Sequence, residues 1–176
     1  DFLREMEFNR LLSQVIAHYG NATENKEKVT KDSIHFDLKK YKTILKISEL
    51  DDWITKIEEK GIVSVDTETN SLNPHTASLV GISLCCEEGK ACYIPIDHSV
   101  EKTLEKKIVL NKLKKILEDK SIKKVGQNIK FDFLVFLNNQ IKLNPIEDTM
   151  LMSYALDAGR HRHNMDNLSQ VHLNHK

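Results

Sequence analysis

The run Ile62-Val63-Ser64-Val65-Asp66-Thr67-Glu68 constrains the fold of this chain more than any other feature. An apolar run that ends in carboxylates predicts a buried strand whose last residues emerge at a site. Side chains two positions apart on a strand share a face, so Asp66 and Glu68 are expected to point at one cation together. Carboxylate oxygens without nearby His or Cys favour Mg²⁺ or Mn²⁺ over zinc. The alternative is a solvated turn that begins at the two acids, and Asp-x-Glu alone does not decide between them.

Two further motifs follow along the chain: Val125-Gly126-Gln127-Asn128-Ile129-Lys130-Phe131-Asp132 and Asp148-Thr149-Met150-Leu151. Together with Val65-Asp66-Thr67-Glu68-Thr69-Asn70-Ser71-Leu72, and in this order, they resemble the 3′→5′ proofreading exonuclease domain of bacterial DNA polymerase I. That family belongs to the wider Asp-Glu-Asp-Asp exonuclease superfamily. The likeness runs from about Tyr41 to Lys176. It implies an α/β, ribonuclease-H-like fold in which a mixed β-sheet is flanked by helices.

The resemblance also implies a mechanism, its cofactors and its partners. The family hydrolyses 3′-terminal nucleotides of single-stranded or frayed DNA with two divalent cations, Mg²⁺ or Mn²⁺, within a protein that synthesises DNA in replication and repair. By the same resemblance, Asp66 bridges the two metals, Glu68 ligates one and helps to orient the water, and Asp132 completes the second site. The implied partners are the 3′ end of DNA and the polymerase and 5′-nuclease domains of the same full-length chain.

One part of the family pattern is missing from this sequence. The family's fourth carboxylate and a water-orienting tyrosine lie in a downstream Tyr-x-x-x-Asp motif, which the chain does not reach. Tyr154 and Asp157 are one residue too close together to supply it. Residues 1–176 are therefore expected to form a C-terminally incomplete exonuclease domain with weak activity or none.

The resemblance assigns substrate contacts to residues of the first two motifs: Leu72, Gln127, Asn128, Lys130 and Phe131. Leu72 matches a leucine that wedges against the terminal base, and ordinary packing beneath its loop is the open alternative. Asn128 lies near the substrate strand or else caps the helix that contains Asp132. Phe131 stands where a better-known relative has tyrosine, and its ring can still stack on a base.

The segment Gly159-Arg160-His161-Arg162-His163-Asn164-Met165-Asp166 resembles a family loop that aims an arginine at substrate phosphate. Alignment on the residues before the loop selects Arg160, alignment on the residues after it selects Arg162, and both remain candidates. His161 and His163 suggest a metal site, but two histidines without further ligands favour a solvated basic loop instead.

The chain has no net charge, yet residues 101–130 hold ten lysines against four acidic residues and carry +6. Lysines there can follow phosphates. The pattern favours the alternative, in which they form the wet face of an amphipathic helix whose apolar residues are Leu104, Ile108, Leu113, Ile116 and Leu117.

The cysteines and the hydropathy pattern indicate a compartment. Cys85, Cys86 and Cys92 lie in strand-like apolar sequence without metal-ligand spacing, which favours reduced, buried thiols of a cytosolic protein. No run approaches the length of a membrane span, and no signal peptide is recognised. A monomer in the bacterial cytoplasm, without membrane contact, is therefore expected.

Three parts are expected along the chain. Residues 1–20 form a helix that stops at Gly20 and resembles the helix closing the 5′-nuclease domain of the same polymerase, residues 21–40 form an extended or mobile linker, and residues 41–176 form the exonuclease domain. Within that domain the pattern predicts strands at 41–47, 62–67, 79–86, 91–96, 124–126 and 145–148. It predicts helices from Ser48 to Gly61, across the lysine-rich segment, and at 131–138, 150–156 and 165–173. Asp148 is expected to cap the helix that follows it.

Two other functions remain open. A catalytically silent spacer would bind DNA ends or brace the polymerase domain, but the retention of Asp66, Glu68 and Asp132 argues against it, because lost sites usually lose their carboxylates first. A ribonuclease of the superfamily would act on RNA. The match through Ser71-Leu72 and Gln127 favours the polymerase branch.

Overall fold

The computed structural model describes residues 2–20, 37–97 and 103–175 of the chain. It contains two compact units, residues 1–32 and residues 33–176. Most of the predicted linker, residues 21–36, lies outside the described residues, and its last part includes a short 3₁₀ helix, Leu38–Lys40. The division into helix, linker and exonuclease domain therefore stays a prediction.

The first unit contains two helices where the sequence predicts one. α1 spans Phe2–Glu5 and α2 spans Asn9–Tyr19. The interruption lies at Glu7, whose φ of +58° is left-handed and cannot continue an α-helix. The predicted end is confirmed, because the N–H of Gly20 donates to the carbonyl oxygen of Ile16 and closes the last turn. Neither helix contains a buried residue.

The second unit is built on one six-stranded sheet. In chain order its elements are β1 (Lys42–Thr43), α3 (Ile47–Lys60), β2 (Ile62–Thr69), β3 (Leu79–Glu87), β4 (Lys90–Pro95), α4 (Lys106–Glu118), β5 (Lys123–Gly126), α5 (Lys130–Asn138), β6 (Ile146–Asp148), α6 (Thr149–Asp157) and α7 (Met165–Leu168), followed by a π-helical turn (Ser169–Leu173). The strands stand in the order β1-β4-β3-β2-β5-β6.

The sheet is mixed, as the sequence predicts. β2, β3 and β4 are antiparallel neighbours, and β3 and β4 form the predicted hairpin. β5 pairs with β2, β6 pairs with β5, and β1 pairs with β4, all in parallel. A mixed sheet with helices between its strands confirms the α/β class. Because β2, β5 and β6 are parallel, their carboxyl ends meet at one end of the sheet.

The core is formed by the sheet together with α3 and α4, which contact each other. Both helices bury one apolar face: Leu50, Trp53 and Ile57 on α3, and Val109, Leu113, Ile116 and Leu117 on α4. The amphipathic prediction for α4 is therefore confirmed, except that Ile108 is 40% exposed and Val109 takes the core position beside it. Within the described ranges, no helix combines the length and the apolar character needed to cross a membrane.

The ends of α3 show where local sequence patterns succeed and fail. Gly61 ends the helix as predicted, because its φ of +65° is the left-handed conformation that glycine adopts without strain, and its N–H donates to the carbonyl oxygen of Ile57. The prediction that Ser48 caps the helix is wrong: Ser48 lies inside it, the N-cap is Lys46, and no side chain caps the first turn. The predicted helix 165–173 is divided into α7 and the π-helical turn.

Lys124 is fully buried in β5, and backbone carbonyl groups hold its ammonium group. Nζ donates to the carbonyl oxygens of Asp119 at 2.5 Å, Ile122 at 2.6 Å and Asn144 at 2.8 Å. Burial lowers the pKa of Lys124 to about 8, so the ammonium form, with one N–H for each carbonyl, predominates at neutral pH. One side chain thus ties the connection between α4 and β5 to the segment that leads into β6.

Replacing Lys124 with methionine should lower the free energy of unfolding by about 2–4 kcal/mol, because three carbonyl oxygens around a buried side chain lose their donor. Urea unfolding followed by circular dichroism measures the loss. The neighbouring Lys123→Met variant is the control: its Nζ lies 3.5 Å from Glu147 in an exposed ion pair, so its effect should stay below about 0.5 kcal/mol. Equal losses in both variants would contradict the role of the buried ammonium.

Candidate active site

The parallel strands bring three segments to one end of the sheet. β2 ends in the acidic residues, β5 leads into Gln127 and Asn128, and β6 ends at Asp148. β5 pairs with β2 only as far as Ser64 and Val125, so the last part of β2 has no strand on that side. The space left there receives the start of α5.

Alternation along β2 separates the acids from the residue between them. Asp66 and Glu68 are exposed and share one face, whereas Thr67 is buried on the other. The register between β2 and β3 also shifts at Glu68 and Thr69, an irregularity that re-aims side chains and is frequent near functional sites. The predicted common face of Asp66 and Glu68 is present.

Asp132, in the first turn of α5, is fixed against β2. Its side chain is 3% exposed, and its Oδ1 accepts hydrogen bonds from the N–H of Thr67 at 2.8 Å and from the Thr67 hydroxyl at 2.6 Å. The N–H is one that a neighbouring strand would otherwise have engaged. Thr67, which the sequence patterns do not single out, is therefore the residue that holds α5 and its acid against β2.

The charges of Asp132 and Glu68 act on Asp66. The pKa of Asp66 is raised to about 6, first by desolvation, although the residue is exposed in surface area, and then by the negative charges of Asp132 and Glu68. Burial raises the pKa of Asp132, the two hydrogen bonds from Thr67 oppose that shift, and the charge of Asp148 adds to it. Such a cluster carries a negative potential that a cation relieves.

Asp148 organises the backbone on the other side of the site. Its Oδ1 accepts from the N–H groups of Asn128 at 3.0 Å and Met150 at 2.9 Å, and its Oδ2 accepts from Ile129 at 3.1 Å. Its predicted role as the N-cap of α6 is confirmed, since it also accepts from Leu151. The prediction that Asn128 caps α5 is wrong: Asn128 has a left-handed φ of +56°, and the N-cap is Ile129.

Gln127 is engaged within the protein at both ends of its amide. Its Oε1 accepts from the hydroxyl of Thr149 at 2.6 Å, and its Nε2 donates to the carbonyl oxygen of His163 at 2.8 Å. His163 is buried, with Nδ1 2.7 Å from Oγ of Ser153 and its ring centroid 3.9 Å from that of Tyr154. The expectation of a solvated loop is therefore wrong for His163. Gln127 joins that loop to the end of β5, and its contact with substrate stays a prediction.

The two arginines of the loop differ in their surroundings. Arg160 forms an ion pair with Asp157, with Nη1 3.0 Å from Oδ1. Arg162 is exposed, and its carbonyl oxygen accepts a hydrogen bond from Nδ1 of His161 at 2.9 Å. Nε2 of His161 is buried and lies 3.8 Å from the carboxylate of Asp157. A guanidinium already paired with a carboxylate is the less available of the two for a phosphate.

The remaining predicted contacts lie around the same end of the sheet. Leu72 is 95% exposed, which excludes the alternative that it packs beneath its loop and leaves the wedge as the prediction. Lys130 is exposed at the start of α5, where it lines a groove with Ile129 and Leu151. Phe131 is partly buried and packs against the core, so only part of its ring is free to stack.

The donor chemistry of the site fits a hard divalent cation, because carboxylate oxygens are the ligands that Mg²⁺ and Mn²⁺ prefer. The arrangement does not enclose one. Among residues 2–20, 37–97 and 103–175, no three Asp, Glu, His or Cys side chains are placed to hold a metal ion. For Asp132, Oδ1 is occupied by Thr67. Asp66, Glu68 and Asp132 as metal ligands therefore stay a prediction, and His161 and His163 provide no alternative site there.

A tyrosine that the sequence analysis missed lies beside Glu68. Gly81 of β3 is the cross-strand partner of Glu68, and a Cβ at Gly81 would lie 2.0 Å from the hydroxyl oxygen of Tyr93 on β4. The phenol therefore occupies the space above the glycine, and the charge of Glu68, after burial, raises the pKa of Tyr93. The signal was the glycine itself, since glycine inside a strand often marks a close approach.

The sequence of this chain is similar to part of known DNA polymerases. A family model described as a 3′–5′ exonuclease matches residues 41–176. The DNA polymerase I of Pseudomonas aeruginosa is 38% identical over 178 residues, which cover 98% of this chain and 19% of the relative. The DNA polymerase I of Rhizobium leguminosarum is 36% identical and covers 81% of this chain and 16% of the relative. The chain thus spans about a fifth of the length of these curated relatives.

Solved structures agree on the class of fold. Brucella melitensis NrnC with bound Mg²⁺ superposes with a TM-score of 0.57 at 23% identity, over 76% of this chain and 60% of that one. Escherichia coli RNase D, an exoribonuclease, superposes with a TM-score of 0.53 at 20% identity, over 72% and 30%. The fold is that of the ribonuclease-H-like exonucleases. Within that class, the chain belongs to the 3′–5′ exonuclease domain family of DNA polymerase I.

The raised pKa of Asp66 predicts a cost in stability. Because the folded-state pKa, about 6, lies above the unfolded value, the folded state binds the proton more tightly, and the free energy of unfolding falls as pH rises from about 4 to 6. Without divalent cations, Asp66→Asn should therefore raise the free energy of unfolding near pH 7 by about 1 kcal/mol, a value that allows for solvent screening of an exposed carboxylate.

Urea unfolding in EDTA at neutral and acidic pH measures this effect. Below about pH 4 the gain should disappear, because both states are then protonated. Asp97→Asn, a matched change at an exposed residue after β4, should give no comparable gain. A variant that is destabilised at neutral pH would contradict the free-energy cost assigned to the ionised carboxylate of Asp66.

Proposed function

We propose that this chain carries the 3′→5′ exonuclease site of a DNA polymerase I and removes 3′-terminal nucleotides from single-stranded or frayed DNA. The observation that supports the proposal is electrostatic, in a chain of this family: after desolvation, the charges of Asp132 on α5 and Glu68 on β2 raise the pKa of Asp66 on β2. Residues 41–176 would be the exonuclease domain, working beside the polymerase and 5′-nuclease domains of a longer chain.

Asp66 and Glu68 from β2 and Asp132 from α5 would hold two divalent cations, Mg²⁺ or Mn²⁺. When bound, these cations would activate water and neutralise charge on the attacked phosphate and on the departing 3′-oxygen. A relative of the same fold class, NrnC, carries Mg²⁺ in a solved structure. Thr67 holds Asp132 against β2 through its N–H and hydroxyl. Cation binding would have to draw the three carboxylates together, because no three such side chains among the described residues are placed to hold an ion.

The surroundings of the acids suit the 3′ end of a DNA strand. Leu72 projects into solvent from the loop after β2 and would wedge against the terminal base, while the partly buried ring of Phe131 would contact a base face. Arg162 would bind a phosphate of the strand, since Arg160 is paired with Asp157. Lys130, Asn128 and Gln127 would line the approach of the strand, Gln127 chiefly by holding the loop of Arg162 in place.

A polypeptide extended to the length of the curated relatives should shorten 3′-labelled single-stranded DNA in Mg²⁺ or Mn²⁺, and EDTA should stop it. Asp66→Ala should lower the rate more than about a hundredfold, since it removes the carboxylate predicted to bridge both cations. Residues 1–176 alone are expected to give weak hydrolysis or none, because the downstream Tyr-x-x-x-Asp motif is absent from them.

Gel analysis of the products measures these rates, with Asp97→Ala as a control that should retain activity. A folded, metal-saturated long polypeptide without hydrolysis would favour the silent spacer. A strong preference for an RNA strand of the same sequence would assign the ribonuclease branch instead.

The two arginines can be separated by a matched pair of variants. Arg162→Gln should raise KM for single-stranded DNA about tenfold with little change in kcat, because a charge-assisted phosphate contact is lost. Arg160→Gln should change KM by less than about twofold, because Asp157 already holds that guanidinium. Steady-state kinetics on one strand measures both, and a larger effect of Arg160→Gln would overturn the assignment.

A further inference from the structure

A pocket lined by lysines lies in the second unit, away from the acidic residues. Five lysines from four elements surround a cavity of about 400 Å³: Lys39, Lys40, Lys42, Lys56 and Lys90. Trp53, Cys86 and Glu87 complete its lining. They come from the 3₁₀ helix, β1, α3 and β4. We refer to these five lysines and their cavity as the lysine pocket. Its volume is within the range of pockets that hold ligands.

The positive charge of the lysine pocket is only partly neutralised. Lys90 pairs with Glu87 at 2.6 Å, and Nζ of Lys56 lies 5.6 Å from the ring centroid of Trp53. In the part of the chain that the structure describes, three of the lysines have no ion pair: Lys39, Lys40 and Lys42. Because the whole chain has no net charge, the pocket is a local excess of positive charge and not a share of a basic surface.

The basic segment that the sequence analysis identified, residues 101–130, is less available for anions. Several of its lysines are committed within the protein: Lys112 to Asp51 at 2.6 Å, Lys114 to Glu118 at 3.8 Å, Lys123 to Glu147 at 3.5 Å and Lys124 to three carbonyl oxygens. These contacts support the interpretation of α4 as an ordinary solvated face. Other lysines of the segment, such as Lys107 and Lys115, have no ion pair among the described residues, but they lie on one helix and do not converge from several elements as those of the lysine pocket do.

The lysine pocket and the acidic residues lie at different points along β3. Glu68 is paired with Gly81 and Asp66 with Ser83, whereas Glu87, the last residue of β3, lines the pocket. Six and four residues of the strand lie between these points, a separation of about 13–20 Å along β3. The pocket is therefore not part of the candidate active site, and a ligand in it would leave the strand end free to reach Asp66.

We propose that the lysine pocket binds the phosphodiester backbone of DNA at a point remote from the strand end that is cleaved. Lysines are depleted at protein interfaces, whereas they supply the main phosphate contacts of nucleic-acid surfaces. The aromatic ring present, Trp53, is 7% exposed and offers no anchor to a protein partner. The proposal rests on the proposed function for the identity of the polymer. Its role is to retain a long DNA molecule while the 3′ end enters the other site.

The test compares two charge-matched triple variants of the full-length polypeptide. Lys39→Gln/Lys40→Gln/Lys42→Gln removes the three pocket charges that have no ion pair among the described residues, and Lys107→Gln/Lys115→Gln/Lys120→Gln removes three exposed charges outside the pocket. Binding of fluorescein-labelled DNA, short and long, single- and double-stranded, is measured by anisotropy in EDTA over a range of salt concentrations, so that no hydrolysis interferes.

The pocket variant should bind long DNA about tenfold more weakly, and its log–log salt slope for single strands should fall by about 2, or 0.7 for each lysine. The matched variant should change neither, and hydrolysis of a short strand in Mg²⁺ should be unchanged in both. Equal losses of DNA affinity in the two variants would overturn the proposal, and so would unchanged DNA binding in the pocket variant. A polypeptide that binds DNA through the pocket but hydrolyses nothing would overturn the proposed function alone.

Discussion

The geometry of the acidic site depends on the carboxylate of Asp148. It accepts hydrogen bonds from backbone N–H groups in two separate segments, the turn between β5 and α5 and the first turn of α6. Since that turn directs the chain from the sheet into α5, Asp148 determines where α5 begins and therefore where Asp132 lies. Asp132 in turn reaches β2 through Thr67. The site is thus assembled by polar contacts between elements distant in sequence, of which the two between Thr67 and Asp132 are buried.

The acidic site lowers the stability of the fold at Asp66, whereas hydrogen bonds at Thr67 and Asp148 stabilise the backbone around it. Desolvation of Asp66, together with repulsion from Asp132 and Glu68, raises its pKa, and both are a free-energy cost that the folded chain carries without a cation. The bonds from Thr67 and the cap at Asp148 offset that cost by fixing the surrounding backbone. The acidic end of the sheet is therefore rigid where hydrogen bonds fix Asp132 and the backbone, and destabilised where the carboxylate of Asp66 is desolvated beside like charges.

The sequence predicts what alternation and local chemistry decide. The face shared by Asp66 and Glu68 follows from the period of two along β2, and Gly61 follows from the conformation it alone adopts easily. The cap at Ser48 failed because local propensity does not decide where a packed helix begins. The link from Asp132 to Thr67, and the convergence of four elements on the lysine pocket, depend on tertiary packing that no local pattern encodes.

The contact between Gly81 and Tyr93 limits how this sheet can change over evolutionary time. Any side chain at position 81 would displace the phenol, because a Cβ there would lie 2.0 Å from its oxygen. A smaller residue at position 93 would instead leave a hollow beside Glu68. The two positions therefore form a correlated pair: substitutions tolerated at one depend on the residue at the other. Homologous chains should show this as covariation between a glycine and a large aromatic residue on adjacent strands.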